Sequence, residues 1–273
     1  MNKFNGILIC TDLDGTLLRN DKTISRENKE AIEYFKSEGG LFTFITGRMP
    51  YYSSDMYEAI EPNCPFGCIN GGGIYDHRKG EYLWTLPIDE SVRILVGYID
   101  ENIPEIGIQL STFNKTYFYK DSEAMEAFRR ASGLPNITRH YNDVTEPIGK
   151  ILFADHREAN IKLLQELLES HPIADRFSFI RSDKTLFEIV PKGVDKGTLL
   201  VKMAEIIGID VRRTMAVGDY NNDVAMLRSA GLGVAVANAS RAALDAADYV
   251  TVSNEEHAIA RIISEIDSGR LVI

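Results

Sequence analysis

The amino-acid sequence predicts an α/β fold in which an α+β segment is inserted into a domain built on a parallel sheet. Towards both ends of the chain, apolar runs of strand length alternate with segments of helical period, as in parallel-sheet proteins. The middle of the chain instead places strand next to strand, which is typical of antiparallel hairpins. The 273 residues, 44% of them hydrophobic and 26% charged, suffice for one large or two modest domains and argue against disorder.

The predicted elements outside the middle segment begin with a buried strand at residues 6–11. A helix follows at 26–38, with Ser25 as its N-cap and Gly39-Gly40 as its stop signal. Further strands are predicted at 41–45, 67–69, 214–217, 233–236 and 247–252, and further helices at 222–230 and 255–267.

The middle segment contains two predicted hairpins. Residues 106–110 and 116–119 form the first, and 177–180 and 185–190 form the second, because turn or charged residues split each pair of apolar runs. The remaining elements of this segment are a strand at 150–154 and helices at 91–101, 123–131 and 157–170. We therefore expect an α+β domain between the two halves of an α/β domain.

Charge and cysteine content exclude several classes of protein. With 30 Lys and Arg against 40 Asp and Glu, the net charge is −10, so we expect neither a general nucleic-acid binder nor a protein that binds anionic membranes. Three cysteines are too few for a disulfide framework, and no apolar stretch reaches the 18 residues of a membrane span. The sequence predicts a soluble cytoplasmic protein with reduced thiols.

The motif Asp12-Leu-Asp14-Gly-Thr16 directly follows the first predicted strand. Ligands of parallel α/β sheets bind beyond the carboxyl ends of the strands, and Mg²⁺ prefers one or two carboxylates together with waters and a phosphate. A calcium EF-hand loop does not fit, because glycine stands at the fourth position instead of the sixth and Thr23 occupies the twelfth. Taken alone, the motif could also be an Asp-rich turn that caps a helix.

Other polar groups also follow predicted strands or open predicted helices. They are Thr46-Gly47-Arg48, the glycine-rich Asn70-Gly71-Gly72-Gly73, Lys196, and Gly218-Asp219 with Asn222-Asp223. Each could be a turn, a flexible loop, a solvated lysine or a helix cap. Because they fall at strand ends of one predicted sheet, their joint occurrence is hard to attribute to chance and favours a ligand site beside Asp12 and Asp14.

These motifs, in this order and spacing, resemble those of the haloacid dehalogenase-like phosphohydrolases, specifically the Cof-type branch with a large α/β cap. The Asp12–Thr16 segment matches the first motif of the family, Thr46 the second and Lys196 the third. The segment from Gly218 to Asp223 matches the fourth, and the resemblance covers essentially the whole chain. Two positions depart from the family pattern: Gly72 replaces a usual alanine, and His257 replaces a frequent glycine.

The resemblance implies a Rossmann-like core at residues 1–83 and 189–273 and a cap domain at 84–188. It makes Asp12 the nucleophile and Asp14 the general acid and base. The implied phosphate-binding residues are Thr46, Gly47, Lys196 and Asn222. The implied Mg²⁺ ligands are Asp12, the main-chain carbonyl of Asp14, and Asp219, with Asp223 orienting Lys196 or the metal ligands.

The predicted function is that of a Mg²⁺-dependent phosphatase. It would hydrolyse phosphate monoesters of small metabolites, such as sugar phosphates or phosphorylated cofactors, through an aspartyl-phosphate. The cap is expected to close over the site and to contact the leaving group, with Asn114, Lys115 and Arg181 as candidates. A phosphomutase of the same fold and a non-catalytic regulator that binds a phosphometabolite are the alternatives. The substrate and the oligomeric state stay open.

Overall fold

A computed structural model describes residues 2–273, which divide into two compact units. The first unit comprises the chain up to Gly47, Ser54–Trp84 and Asp195–Ile273, and the second comprises Arg48–Ser53 and Thr85–Val194. The predicted α/β fold, with a parallel sheet and an inserted antiparallel part, is confirmed. Among the helices of residues 2–273, none has the length and apolar character needed to cross a membrane.

The secondary-structure elements are numbered in chain order. The strands are β1 (Leu8–Thr11), β2 (Leu41–Phe44), β3 (Phe66–Cys68), β4 (Gly73–Asp76), β5 (Glu81–Thr85), β6 (Gly107–Thr112), β7 (Thr116–Lys120), β8 (Ile148–Ala154), β9 (Phe177–Ile180), β10 (Leu186–Pro191), β11 (Thr214–Gly218), β12 (Leu232–Ala235) and β13 (Tyr249–Val250). The helices are α1 (Arg26–Ser37), α2 (Ser54–Ile60), α3 (Val92–Asn102), α4 (Glu123–Ala131), α5 (Glu158–Glu169), α6 (Lys196–Ile207), α7 (Val224–Ser229), α8 (Arg241–Ala246) and α9 (Ala258–Asp267).

The first unit is built on a five-stranded parallel sheet in the order β13-β12-β11-β1-β2. Every residue of β1 is buried, as expected of a central strand that is covered on both faces. Thr11, at the end of β1, is in register with Val217 of β11 and Phe44 of β2. The loops that follow these three strands therefore start side by side at one edge of the sheet.

The predicted strand at residues 67–69 does not extend this parallel sheet. It forms as β3, which pairs antiparallel with β4 in a separate three-stranded sheet. A single parallel bridge from Ile45 to Gly67 links it to the end of β2. The reason is local: Ile69 and Asn70 adopt left-handed conformations, with φ of 61° and 49°, and the chain turns back into β4. The expectation of one sheet for all the motif-bearing strands is therefore corrected.

The second unit is a five-stranded antiparallel sheet in the order β7-β6-β8-β10-β9. Both predicted hairpins are confirmed, as β6 pairs with β7 and β10 with β9. Side chains of α3 and α5 form an apolar core with residues of the sheet such as Ile108, Ile151 and Phe187. A separate cluster joins Met125 of α4 to Leu152 of β8, so helices cover the sheet through two distinct sets of contacts.

One predicted boundary lies within a strand, and one predicted helix begins later than expected. The boundary predicted between residues 188 and 189 falls inside β10, because the strand stays paired up to Pro191, which lies opposite Phe177. The helix predicted at 255–267 begins only at Ala258, because His257 before it has a φ of 62°. Glycine adopts that conformation freely, which accounts for the glycine at this position in the family pattern. That the two units act as catalytic core and cap stays a prediction.

Candidate active site

Asp12 is the first residue beyond β1, and its backbone N–H donates to the carbonyl oxygen of Val217 on β11 at 2.8 Å. Only 8% of the residue is exposed. Burial raises the pKa of Asp12 well above its ordinary value; Lys196 opposes this shift, and Asp223 and Asp219 add to it. A carboxylate in such surroundings stays ionised only when cations compensate its charge.

Lys196 supplies one such cation. It is the first residue of α6, which begins with a capping box between Asp195 and Thr198. Its Nζ lies 2.5 Å from Oδ1 of Asp12 and 2.6 Å from Oδ1 of Asp223. Burial lowers the pKa of Lys196, but the two carboxylates outweigh burial and hold it above its ordinary value. The lysine is therefore a buried, charged bridge between two buried carboxylates.

Asp223 is fixed by the turn that follows β11. Its Oδ2 accepts hydrogen bonds from the backbone N–H groups of Asp219 at 2.9 Å and Tyr220 at 3.0 Å, while Oδ1 accepts from Lys196. At Gly218 a Cβ would come within 2.5 Å of the Asp223 side chain, so only glycine permits this close turn. Both oxygens of Asp223 thus accept hydrogen bonds, one from Lys196 and the other from the backbone of the turn.

Asp219 lies on the other side of this turn. Its Oδ1 accepts a hydrogen bond from the hydroxyl of Thr16 at 2.8 Å, and a Cβ at Gly15 would stand 2.6 Å from its Oδ2. The backbone of the first motif therefore passes directly against this carboxylate. Burial, followed by the charge of Asp223, raises the pKa of Asp219 to about 6.

Asp12, Asp219 and Asp223 each offer a carboxylate oxygen within 4.8 Å of the others. Lys196 brings one positive charge against these three carboxylates, so the cluster holds an excess of negative charge that a divalent cation would neutralise. Hard oxygen donors suit Mg²⁺. Since both oxygens of Asp223 already accept hydrogen bonds, Asp12 and Asp219 are the carboxylates suited to hold the ion.

Asp14 is placed differently from these three residues. Its carboxylate pairs with Nζ of Lys22 at 2.9 Å, and 42% of its side chain is exposed. The predicted use of the Asp14 main-chain carbonyl as a metal ligand, and of its side chain as an acid and base, stay predictions. The close approach of Gly15 to Asp219 brings the backbone of this segment beside the acidic cluster.

The turn at Thr46-Gly47 belongs to a second group of contacts. The N–H of Thr46 donates to the carbonyl oxygen of Gly67 at 3.0 Å, and its carbonyl accepts from the N–H of Asn70 at 3.1 Å. A Cβ at Gly47 would lie 2.8 Å from the amide of Asn70, so the turn packs directly on that side chain. Asn222 donates from Nδ2 to Oδ1 of Asn70 at 3.1 Å. Thr46, Gly47 and Asn222, all predicted phosphate contacts, thus meet around Asn70.

The three candidate contacts in the inserted segment are not brought together. Asn114 and Lys115 lie exposed in the turn between β6 and β7. Arg181 follows β9 and donates to Oε1 of Glu158 at 3.0 Å. His257, which sequence reasoning left outside the site, has its Nδ1 3.5 Å from a carboxylate oxygen of Glu27 on α1.

Sequence reasoning did not name several residues that support the site. Asn70 and Thr16 were visible within their motifs, but their contacts with Asn222 and Asp219 required the fold. Asn238 donates to the carbonyl oxygen of Gly15 at 2.8 Å. It follows the end of β12, so the search for polar residues beyond strand ends could have found it as well.

Comparison with known proteins was made on sequence and on structure. The family model described as haloacid dehalogenase-like hydrolase matches residues 9–263. The Bacillus subtilis protein named 5-amino-6-(5-phospho-D-ribitylamino)uracil phosphatase YitU is 31% identical over 263 residues, covering 94% of this chain and 96% of that protein. The Escherichia coli protein YbjI, named for the same phosphatase activity, is 25% identical over 262 residues and 95% of each chain.

A crystal structure of a haloacid dehalogenase-like hydrolase from Bacteroides thetaiotaomicron is similar over 95% of this chain and 99% of that one. The TM-score is 0.84 and the sequence identity is 26%. The names of the relatives agree with the predicted class of enzyme, a phosphatase. Since the family model spans most of the sequence, the chain belongs to the haloacid dehalogenase-like hydrolase family.

Proposed function

We propose that this protein hydrolyses phosphate monoesters of small metabolites through an aspartyl-phosphate on Asp12, with Mg²⁺ as cofactor. The observation that carries the proposal is the buried ammonium of Lys196 between Asp12 and Asp223. It fixes Oδ1 of Asp12, so Oδ2 is the oxygen proposed to attack phosphorus. A carboxylate nucleophile divides the hydrolysis of a resistant ester into two easier steps.

In the first step, a bond forms between Oδ2 of Asp12 and phosphorus while the bond from phosphorus to the ester oxygen breaks. Asp14, in its protonated form, gives its proton to the departing alkoxide. Lys196 and the Thr46-Gly47 turn hold the phosphoryl oxygens, since charge on those oxygens has to be stabilised during transfer. The products of this step are the free alcohol and the aspartyl-phosphate.

In the second step, water attacks the phosphorus of the aspartyl-phosphate and gives a proton to Asp14. The bond between phosphorus and Asp12 breaks, which releases inorganic phosphate and restores both carboxyl groups. Asp14 must leave Lys22 to perform either role. The pair with Lys22 is exposed, and such surface ion pairs contribute only about 0–1 kcal/mol.

Mg²⁺, held by Asp12, Asp219 and the main-chain carbonyl of Asp14, would neutralise charge on the phosphoryl group and on Asp12. Asp223 orients Lys196 and, through two backbone N–H groups, the segment that carries Asp219. This division leaves each carboxylate of the cluster with a different task.

We further propose that the protein acts in the cytoplasm, in keeping with its three free and buried cysteines. Its substrate would be a sugar phosphate or a phosphorylated cofactor precursor. Both YitU and YbjI are named for dephosphorylation of a phosphorylated ribitylaminouracil, so that compound is the first to test. A panel of sugar phosphates would be tested beside it.

The test is release of inorganic phosphate by the purified protein, with and without chelator. We expect turnover with Mg²⁺, its loss in EDTA, and its return when Mg²⁺ is restored in excess. Undiminished turnover in EDTA would refute the assigned cofactor. Transfer of the phosphoryl group back to substrate, without free phosphate, would identify a phosphomutase, and binding without any transfer would identify a regulator.

We propose that the second unit selects the leaving group. Substitution of Asn114 or Lys115 by alanine should change the ratio of kcat/KM between metabolite phosphates. Hydrolysis of 4-nitrophenyl phosphate, whose leaving group resembles none of the metabolites, should change less. Arg181→Ala is the matched comparison, because that side chain is already paired with Glu158. Equal losses on every substrate would contradict the assigned role of the second unit.

A further inference from the structure

The segment Arg48–Ser53 has an unexpected place in the fold. It directly follows the Thr46-Gly47 turn, yet it belongs to the second compact unit, whereas Gly47 before it and Ser54 after it belong to the first. We refer to Arg48–Ser53 as the strap. Since the peptide chain joins the strap to Gly47, whatever fixes the strap also constrains the turn proposed to bind phosphate.

A hydrogen bond between side chains fixes the middle of the strap. The hydroxyl of Tyr51 lies 2.5 Å from that of Thr116 on β7. Thr116 in turn lies 3.4 Å from the hydroxyl of Ser111 on β6, which accepts a hydrogen bond from Nε2 of Gln109 at 2.9 Å. Tyr51 is thus attached to a row of buried polar side chains on the sheet of the second unit.

Tyr52 provides a second, apolar attachment. Its ring packs against the cluster that contains Phe118 of β7 and Leu152 of β8. Burial raises the pKa of its phenol above the ordinary value, in keeping with a ring packed into this part of the unit. The strap is therefore attached to the second unit at two places, through the hydroxyl of Tyr51 to β7 and through the ring of Tyr52 to an apolar cluster.

The strap is also closed on itself. The hydroxyl of Ser53 donates to the carbonyl oxygen of Met49 at 2.8 Å. The backbone N–H of Ser53 donates to the carbonyl oxygen of Pro50 at 3.0 Å. Pro50 restricts its own backbone, and both Met49 and Pro50 are buried. Only three residues lie between Gly47 and Tyr51, so the two are at most about 14 Å apart. Such a short and stiff connection leaves the turn little freedom to move on its own.

We propose that Tyr51 and Tyr52 are positioning residues, which hold the Thr46-Gly47 turn in the geometry that receives the phosphoryl oxygens. The inference rests on the proposed function of that turn. Gly47 packs so closely on Asn70 that a small displacement of the strap would disturb their contact. Loss of the Tyr51–Thr116 hydrogen bond should therefore weaken binding of phosphate itself, whatever alcohol is attached to it.

The experiment measures binding of inorganic phosphate by calorimetry in the presence of Mg²⁺, together with KM and kcat for 4-nitrophenyl phosphate. Tyr51→Phe and Thr116→Val each remove one partner of the hydrogen bond with little change of shape. We expect each variant to raise the Kd for phosphate and the KM by about 2- to 10-fold, the range that corresponds to one net hydrogen bond. The double variant should be no weaker than the single ones, because both remove the same interaction.

Tyr119→Phe is the matched control. Tyr119 lies on β7 as well, and its hydroxyl donates to Asp100 at 2.7 Å, away from the strap. It should leave the Kd for phosphate unchanged. An unchanged Kd in Tyr51→Phe and Thr116→Val, or an equal increase in Tyr119→Phe, would overturn the positioning role. Binding of phosphate by the wild type without turnover would overturn the proposed function alone, and no binding would overturn both.

Discussion

The two units both bury charged side chains, but they balance them differently. In the second unit, Lys150 and Glu188 form an ion pair at 3.2 Å, with 3% and 4% of their side chains exposed. In the first unit, Lys196 alone faces Asp12 and Asp223, and Asp219 adds a third carboxylate to the cluster. The Lys150–Glu188 pair joins one positive charge to one negative charge, whereas the cluster around Lys196 has an excess of negative charge.

The pKa directions of buried carboxyl groups show the same contrast. In the first unit, burial raises the pKa of Asp12 and brings that of Asp219 to about 6. In the second unit, burial opposes ionisation of Asp155, but hydrogen bonds from Arg157 and Asn160 lower its pKa below the ordinary value. Carboxyl groups whose charged state is disfavoured in this way are typical of functional sites, which agrees with the role proposed for this cluster.

The largest expected effect is on turnover. Asp12→Asn removes the proposed nucleophile, so no phosphoenzyme can form and hydrolysis of every substrate should fall to background. Asp155→Asn, which also removes a buried carboxylate, is the control and should retain turnover. Release of phosphate measured on both variants makes the comparison. Appreciable hydrolysis by Asp12→Asn would remove the basis for covalent catalysis.

The second effect separates the two carboxylates of the first motif. Asp14→Asn should lower turnover of alkyl phosphates by about 10²- to 10⁴-fold, the usual contribution of a positioned acid or base. Nitrophenolate leaves without a proton, so 4-nitrophenyl phosphate should still phosphorylate Asp12 and then stall. Rapid mixing should show a burst of nitrophenol near one equivalent, followed by a slow steady state. If alkyl and aryl esters slow equally without a burst, Asp14 is not the acid and base.

The third effect tests the balanced pair. Glu188→Gln removes the carboxylate charge that lies 3.2 Å from the buried ammonium of Lys150, which should lower the free energy of unfolding by about 3 kcal/mol. The double variant Lys150→Met, Glu188→Leu removes both charges and should be close to the wild type in stability. Urea denaturation of the three proteins measures the difference. A double variant as unstable as the single one would show that the polar atoms, and not the charge balance, stabilise this sheet.

The positions of the proposed active-site residues at strand ends could be predicted from the sequence because their signal is local. Asp12, Thr46 and Asp219 each follow an apolar run that can only be a buried strand, and neighbouring parallel strands end at one edge. A polar residue directly after a predicted parallel strand was therefore expected at that edge of the sheet. Lys196 followed from its place at the start of a helix in the third motif.

The remaining contacts could not be predicted, because they depend on strand register and long-range packing. The pairing of Lys150 with Glu188 requires that β8 and β10 align with Leu152 opposite Glu188. The segment Arg48–Ser53 belongs to the second unit, whose antiparallel sheet begins more than fifty residues later in the chain. Nothing in the composition of the segment indicates this. The reversal after β3 depended on two non-glycine residues with positive φ, for which the sequence carries no simple signal.

The fourth effect concerns the unbalanced cluster in the absence of metal. Asp219→Asn removes one of three crowded carboxylates and should stabilise the protein in EDTA by on the order of 1–2 kcal/mol, since one pKa unit corresponds to about 1.4 kcal/mol. The same change removes a proposed metal ligand, so the stabilisation that Mg²⁺ gives the wild type should disappear. Thermal unfolding in EDTA and in excess Mg²⁺ measures both. A variant that is less stable than the wild type in EDTA would contradict the assigned charge excess.

The smallest effect has the opposite sign and comes from Asp155, whose carboxylate accepts hydrogen bonds from Arg157 and Asn160. Hydrogen bonds to a charged group are stronger than neutral ones by about 1 kcal/mol, so Asp155→Asn should be less stable than the wild type by about that amount at pH 7. Because the pKa of Asp155 is lowered in the folded state, its contribution is present above its unfolded pKa and is lost as the pH falls through the folded pKa. In urea denaturation, the difference between wild type and variant should be constant from pH 7 to about pH 5 and should shrink below about pH 4. A difference that grew on acidification would mean that folding raises the pKa of this carboxyl group, as it does for Asp219, and the contrast between the two units would fail.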